Sequence, residues 1–185
     1  MKFFKLSLAL LLFSINTQAQ NILITYYSKT AHTQSLAEEV VKGASSLPGV
    51  QVVLKRIDQT TTKDLLAADA IILGSPVYNA NLTPEVVQFM STWPFEGNPL
   101  KDKIGAAFVT AGGISAGEEL AQVSILQSML VFGMVVVGGD DWTSAFGASA
   151  ITNEGVFKTE NLDKLFLQKG FSLGKRVATI AKKMK

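Results

Sequence analysis

The chain has 185 residues, with 17 Lys and Arg against 15 Asp and Glu, one histidine and no cysteine. Without cysteine there is no disulfide framework, thiolate metal site, cysteine nucleophile or lipid-bearing cysteine, and one histidine excludes multi-histidine metal sites and argues against a serine triad. The surplus charge is Lys2 and Lys5, so the rest of the chain balances at 15 against 15, and its composition suggests neither nucleic acid nor an anionic membrane surface as partner.

Residues 1–19 have the layout of a secretory signal peptide: Lys2 and Lys5, an apolar run at 6–15, and the small-residue site Thr17-Gln18-Ala19. Cleavage is predicted after Ala19, with export to a periplasm or the medium. The apolar run is shorter than the roughly 20 residues of a spanning helix, so no membrane span is expected after signal removal. No twin-arginine pair is present, which predicts export as an unfolded chain that acquires any cofactor outside the cytoplasm. Residues 20–185 fit one domain.

The first strand is predicted at 22–26, rich in β-branched and aromatic side chains. A turn containing Ser28, Lys29, Thr30, His32 and Thr33 leads into a helix over 33–42, with Leu36, Ala37, Val40 and Val41 on one face. Strands follow at 50–55, after a Pro48-Gly49 turn, and at 68–75. Thr83 and Pro84 suit the N-cap and first position of a helix ending near Thr92. A fourth strand at 104–110, a helix over 117–132 and a fifth strand at 134–138 come next. Residues 139–159 read as a long loop and 160–182 as the closing helix. This alternation predicts an α/β protein of three layers, a five-stranded parallel sheet in order 2-1-3-4-5 with helices on both faces.

Ligands of such sheets bind beyond the carboxyl ends of the strands, near the reversal of strand order. Three loops meet there. The first offers hydroxyls, a lysine and a helix N-terminus, which suits a phosphate monoester such as that of FMN, although the same residues suit an ordinary N-cap at Thr30 or Thr33. It matches neither the dinucleotide nor the P-loop fingerprint. The second, GSPVYNANLTPE, carries Tyr78, a candidate aromatic face for a planar ring alongside Trp93 and Trp142, for which simple packing is the plainer reading. The third, TAGGISAGEE, brings backbone amides close to a ring edge, or forms only a tight turn. His32 is read as a phosphate contact, and Asp140-Asp141 as a solvated loop. No metal site and no catalytic acid or base is assigned.

YYSKTAHTQSLA, GSPVYNANLTPEVVQFM, LKDKIGAAFVTAGGISAGEEL, GMVVVG and FGASAITNEG together resemble the flavodoxin-like quinone reductases of the tryptophan-repressor-binding-protein type. The resemblance covers 21–182 and implies a flavodoxin-like fold, non-covalent FMN, two-electron reduction of quinones by NAD(P)H, and a homo-oligomer, dimer or tetramer. It assigns Ser28, Lys29, Thr30, Ala31, His32 and Thr33 to the phosphate, Ser75, Pro76, Val77 and Tyr78 to the second loop, and Thr110, Ala111, Gly112, Gly113, Ile114, Ser115 and Gly117 to the third. The chain departs from that pattern at Ala31, where glycine is usual, at Val77-Tyr78-Asn79, in place of arginine-aromatic-glycine, and at Ile114-Ser115, where histidine is often found. The signal peptide is a further departure. The expected partners are a small-molecule donor and acceptor. The alternatives are a flavodoxin-type electron carrier and a flavin-free binding module.

Overall fold

The structure, a computed structural model, describes residues 19–184; the predicted signal peptide, up to Gln18, lies outside the described residues. Seven strands and five helices follow in the order β1 Gln20–Tyr26, α1 His32–Ser45, β2 Val50–Arg56, α2 Thr62–Ala67, β3 Ala70–Tyr78, β4 Asn81–Leu82, α3 Pro84–Ser91, β5 Ile104–Ala111, α4 Glu118–Val131, β6 Val135–Val136, β7 Ala148–Ile151 and α5 Lys164–Lys183.

The sheet runs β2-β1-β3-β5-β6 with every one of these pairs parallel, the predicted order of the five main strands. Right-handed crossovers reverse direction after β2, which puts α1 on one face and α2, α3 and α4 on the other, with α5 returning beside α1. The central strands β3 and β5 are buried on both faces nearly throughout, as their unbroken apolar runs require. α1 and α5 meet through small residues. A Cβ on Gly43 would lie 1.9 Å from the Phe171 carbonyl oxygen, and one on Gly174 would lie 2.0 Å from that of Val40. Only glycine permits this backbone approach.

Three features differ from the sequence reading. The loop expected over 139–159 contains β7, which pairs parallel with the upper half of β5 (Phe108↔Ala148 to Ala111↔Ile151), while β6 pairs with its lower end (Ile104↔Val135). The fifth strand is thus two short segments on one side of β5, and the polar, glycine-rich stretch between them hid the second. The short helix α2 was not expected; a capping box between Thr61 and Asp64 starts it. Thr83 is the N-cap of α3 and Pro84 its first residue, as anticipated, though the Thr83 hydroxyl makes no capping hydrogen bond.

Candidate functional site

A cleft of 660 Å³ opens at the carboxyl ends of β1, β3 and β5, within the roughly 300–1,000 Å³ range of small-molecule sites. The first loop contributes Thr30 and His32, the second Pro76, Val77 and Tyr78, and the third Thr110, Ala111 and Gly112. A fourth wall comes from the segment after β7: Thr152, Asn153, Lys158, Thr159 and Glu160. Sequence reasoning assigned none of these five. For the first four the available signal was their place in an overlong loop, which commonly carries function, whereas Glu160 reads in the sequence as the start of the closing helix.

At the first loop the strand-to-helix turn closes on Ala31, the N-cap of α1, which is left-handed at φ 67. Neither Thr30 nor Thr33 caps the helix, since no side chain does. The Thr30 hydroxyl lies 3.3 Å from His32 Nδ1. The Thr33 hydroxyl turns inward to Thr110 Oγ1 at 2.7 Å, tying the first loop to the end of β5. The Ser28 side chain is nine-tenths buried at 8% exposure, and its hydroxyl has no partner among the described residues. The turn is held from behind by Arg56, whose Nη1 donates to the Ser28 carbonyl at 3.1 Å while its guanidinium stands 6.0 Å from the rings of Tyr26 and Tyr27. Tyr27 donates to Glu85 at 3.0 Å. That bond pushes the Tyr27 phenol up, and Glu85's own amide, with the Tyr27 hydroxyl, pulls its carboxyl down.

In the second loop Ser75 is fully buried, its hydroxyl donating to the Pro76 carbonyl at 2.8 Å, so it lies beneath the cleft. Tyr78 is 43% exposed at the rim. Beyond it β3 and β4 pair as a hairpin through Asn79 and Ala80, both left-handed at φ 51 and 60, the turn whose twist matches paired strands. The hairpin tip rests on Gly117, where a Cβ would lie 2.5 Å from the Ala80 Cα. Trp93 is buried against Phe89 and Phe132 with centroids 5.8 and 5.5 Å away. Trp142, for which packing was expected, is 87% exposed on the insertion between β6 and β7. Neither tryptophan lines the cleft. Asp141 is more than a solvated loop residue: its carboxylate accepts from Thr143 N and Oγ1, which pulls its pKa down.

The third loop is already occupied in part. Ile114 N donates to Glu154 Oε2 at 2.5 Å, and Ser115 N and Ala116 N donate to the two oxygens of Glu118 at 3.1 and 2.9 Å. A Cβ on Gly113 would lie 2.7 Å from Glu154 Oε2, so a side chain there would shift that carboxylate. Ile114, Ser115 and Gly117 therefore stand away from the cleft lining, and among the described residues the amides of Gly112 and Gly113 keep no partner. No group of three or more metal-ligating side chains occurs among the described residues.

A doubly wound sheet of this order, with its cleft at the reversal point between β1 and β3, defines a flavodoxin-like protein. The family model for NADPH-dependent FMN reductase matches residues 48–149, and the chain belongs to that family, whose cofactor is FMN. It is 34% identical over 126 residues to a flavodoxin from Aquifex aeolicus (65% of this chain, 66% of that one) and 35% identical over 120 residues to a flavodoxin from Clostridium saccharobutylicum (64% and 72%). The match thus spans about two thirds of the Aquifex protein's length. The crystal structure of a flavodoxin, WrbA-like protein from Agrobacterium tumefaciens superposes with TM-score 0.76 over 90% of this chain and 100% of that one, at 23% identity. That last likeness concerns the fold alone.

Proposed function

We propose that the chain is an exported FMN-dependent oxidoreductase that passes electrons from a reduced donor to a quinone or similar planar acceptor. The observation that carries this reading is the unpartnered, buried Ser28 hydroxyl in the turn before an uncapped helix N-terminus whose first residue, His32, lines the cleft. A helix start exposes amides with no internal partner and carries partial positive charge. A phosphate there would satisfy both the amides and the hydroxyl, so the residues present fit the group. Thr30 and His32 would complete the phosphate shell, and Thr33 would support it from beneath through Thr110.

Tyr78 would cover one side of a planar ring, and the Gly112 amide, on the cleft lining, would donate to its polar edge, with the free Gly113 amide next to it in the chain. Bound FMN supplies the hydride and electron chemistry, and the protein supplies position, electrostatics and exclusion of water. Lys158 adds a cation on the fourth wall, positioned for an anionic donor or acceptor. Outside the cytoplasm NAD(P)H is scarce, which favours a membrane redox protein as donor.

A second reading, an electron carrier, is favoured by one observation. Residues 20–163, which build the cleft, carry 15 acidic and 8 basic side chains, and acidic surfaces steer carriers to basic partners. The deciding experiment titrates the chain from Gln20 onward with FMN and follows flavin fluorescence. Saturable one-to-one quenching, weakened about tenfold (about 1.4 kcal/mol) in Ser28→Ala/Thr30→Ala, is expected. Photoreduction then separates the two readings: reduction of the bound flavin in a single two-electron stage favours the enzyme, and in two resolved one-electron stages the carrier. Absence of FMN binding would sink both.

A further inference from the structure

The balanced composition conceals a segregated charge. Residues 164–185 contain seven lysines and arginines and no acidic residue. On α5, Lys175, Arg176, Lys182 and Lys183 are all exposed, and at 100° per residue they fall within one arc of about 120°. Lys175, Arg176 and Lys183 border a groove of 530 Å³ that also takes in Gln168, Ser172 and Thr179. Asp140, from the insertion between β6 and β7, is the one carboxylate facing it. Lys175, Arg176 and Lys183 form no ion pair among the described residues, and Lys182 donates to the Pro48 carbonyl at 2.7 Å.

We infer that the outer face of α5 is a docking surface for an anionic lipid bilayer. The fold itself does not need these cations, because the buried face of α5 (Leu173, Val177, Ala178 and Ala181 among others) does the packing. The cations lie along a helix of 20 residues, about 30 Å long. A row of long, flexible side chains suits a laterally extended sheet of phosphates better than a shaped partner. α5 itself carries no tryptophan or tyrosine, the residues that anchor protein interfaces and stack single-stranded nucleic acid.

The chain's own geometry points the same way. β1 begins at Gln20, which shares a surface hollow with Ala181 and Met184 at the end of α5. Cleavage after Ala19 would add an α-ammonium at that same end. No described helix is long and apolar enough to cross a membrane, so the contact is peripheral.

The test is flotation of the chain from Gln20 onward with vesicles of phosphatidylcholine alone or mixed with phosphatidylglycerol. Near an anionic surface each Lys or Arg is worth about 1 kcal/mol, roughly fivefold in partitioning. Lys175→Gln/Arg176→Gln/Lys183→Gln should thus lower binding to the anionic vesicles about a hundredfold, and high salt should release the wild type. FMN titration and thermal melting of the variant should match the wild type, which separates lost docking from lost fold or lost cofactor site. Equal binding to both vesicle types, undiminished binding by the folded variant, or preference for soluble polyglutamate or duplex DNA over the vesicles would overturn the inference.

Discussion

Behind the cleft, charged side chains are engaged with backbone: Arg56 with the Ser28 carbonyl, Glu154 with the Ile114 amide, Glu118 with the amides of Ser115 and Ala116, while Lys158 and Glu160 face the cleft itself. On the outer face of α5 the cations are many, and Lys175, Arg176, Lys182 and Lys183 have no ionic partner among the described residues. The first arrangement fixes the shape of loops and leaves selected donors uncommitted. The second fixes no shape and leaves only charge. A ligand selected by the cleft must therefore match amides and a ring face, whereas a partner of α5 needs only an extended negative surface. The two regions are linked through the glycine crossing that sets α1, whose N-terminus opens on the cleft, against α5, and through Phe157, beside the fourth wall, whose ring stands 4.8 Å from that of Phe166 on α5.

Breaking the glycine crossing should have the largest effect. Gly174→Val forces a side chain into the Val40 carbonyl, and overpacking of this kind costs about 1–3 kcal/mol or more. Thermal melting should fall by roughly 5–10 °C, at 2–4 °C per kcal/mol for a domain of this size, with vesicle binding and FMN binding lost together. An unchanged melting temperature would mean that the two regions are not coupled through the crossing.

A sharper separation comes from Glu154→Ala, which removes the carboxylate bonded to Ile114 N. A hydrogen bond to a charged group contributes about 1.5–3 kcal/mol, here less because Glu154 is exposed. Hydrogen exchange at residues 112–116 should accelerate and FMN affinity fall several-fold, while vesicle binding stays as it was. Protection unchanged in the apo chain would show that Glu118 alone holds the loop.

The smallest expected effect is at Ala31. A left-handed alanine costs about 1–2 kcal/mol, partly offset in Ala31→Gly by the larger entropy glycine loses on folding. A gain of about 0.5 kcal/mol in chemical denaturation is expected, again without change at α5. Destabilisation by this substitution would mean that the alanine methyl contributes packing that outweighs its backbone strain.

Much of this molecule was legible from local pattern. The apolar runs of β3 and β5, the Thr83-Pro84 helix start and the strand–helix alternation specify a doubly wound sheet, because burial on both faces demands unbroken apolar strands and right-handed crossovers leave few topologies. The three loops at the strand ends followed from the same topology. Other features depend on residues far apart in the chain. Thr33 looks like a cap until β5 brings Thr110 to within 2.7 Å, and the third loop looks free until Glu154 arrives from 40 residues away. β7 is a strand only because the upper half of β5 lacks any other neighbour on that side. The balance of 15 against 15 charges is a property of composition, and a sum carries no position. Tertiary structure decided where those charges stand, since packing turned one face of α5 inward and left its cations together on the other.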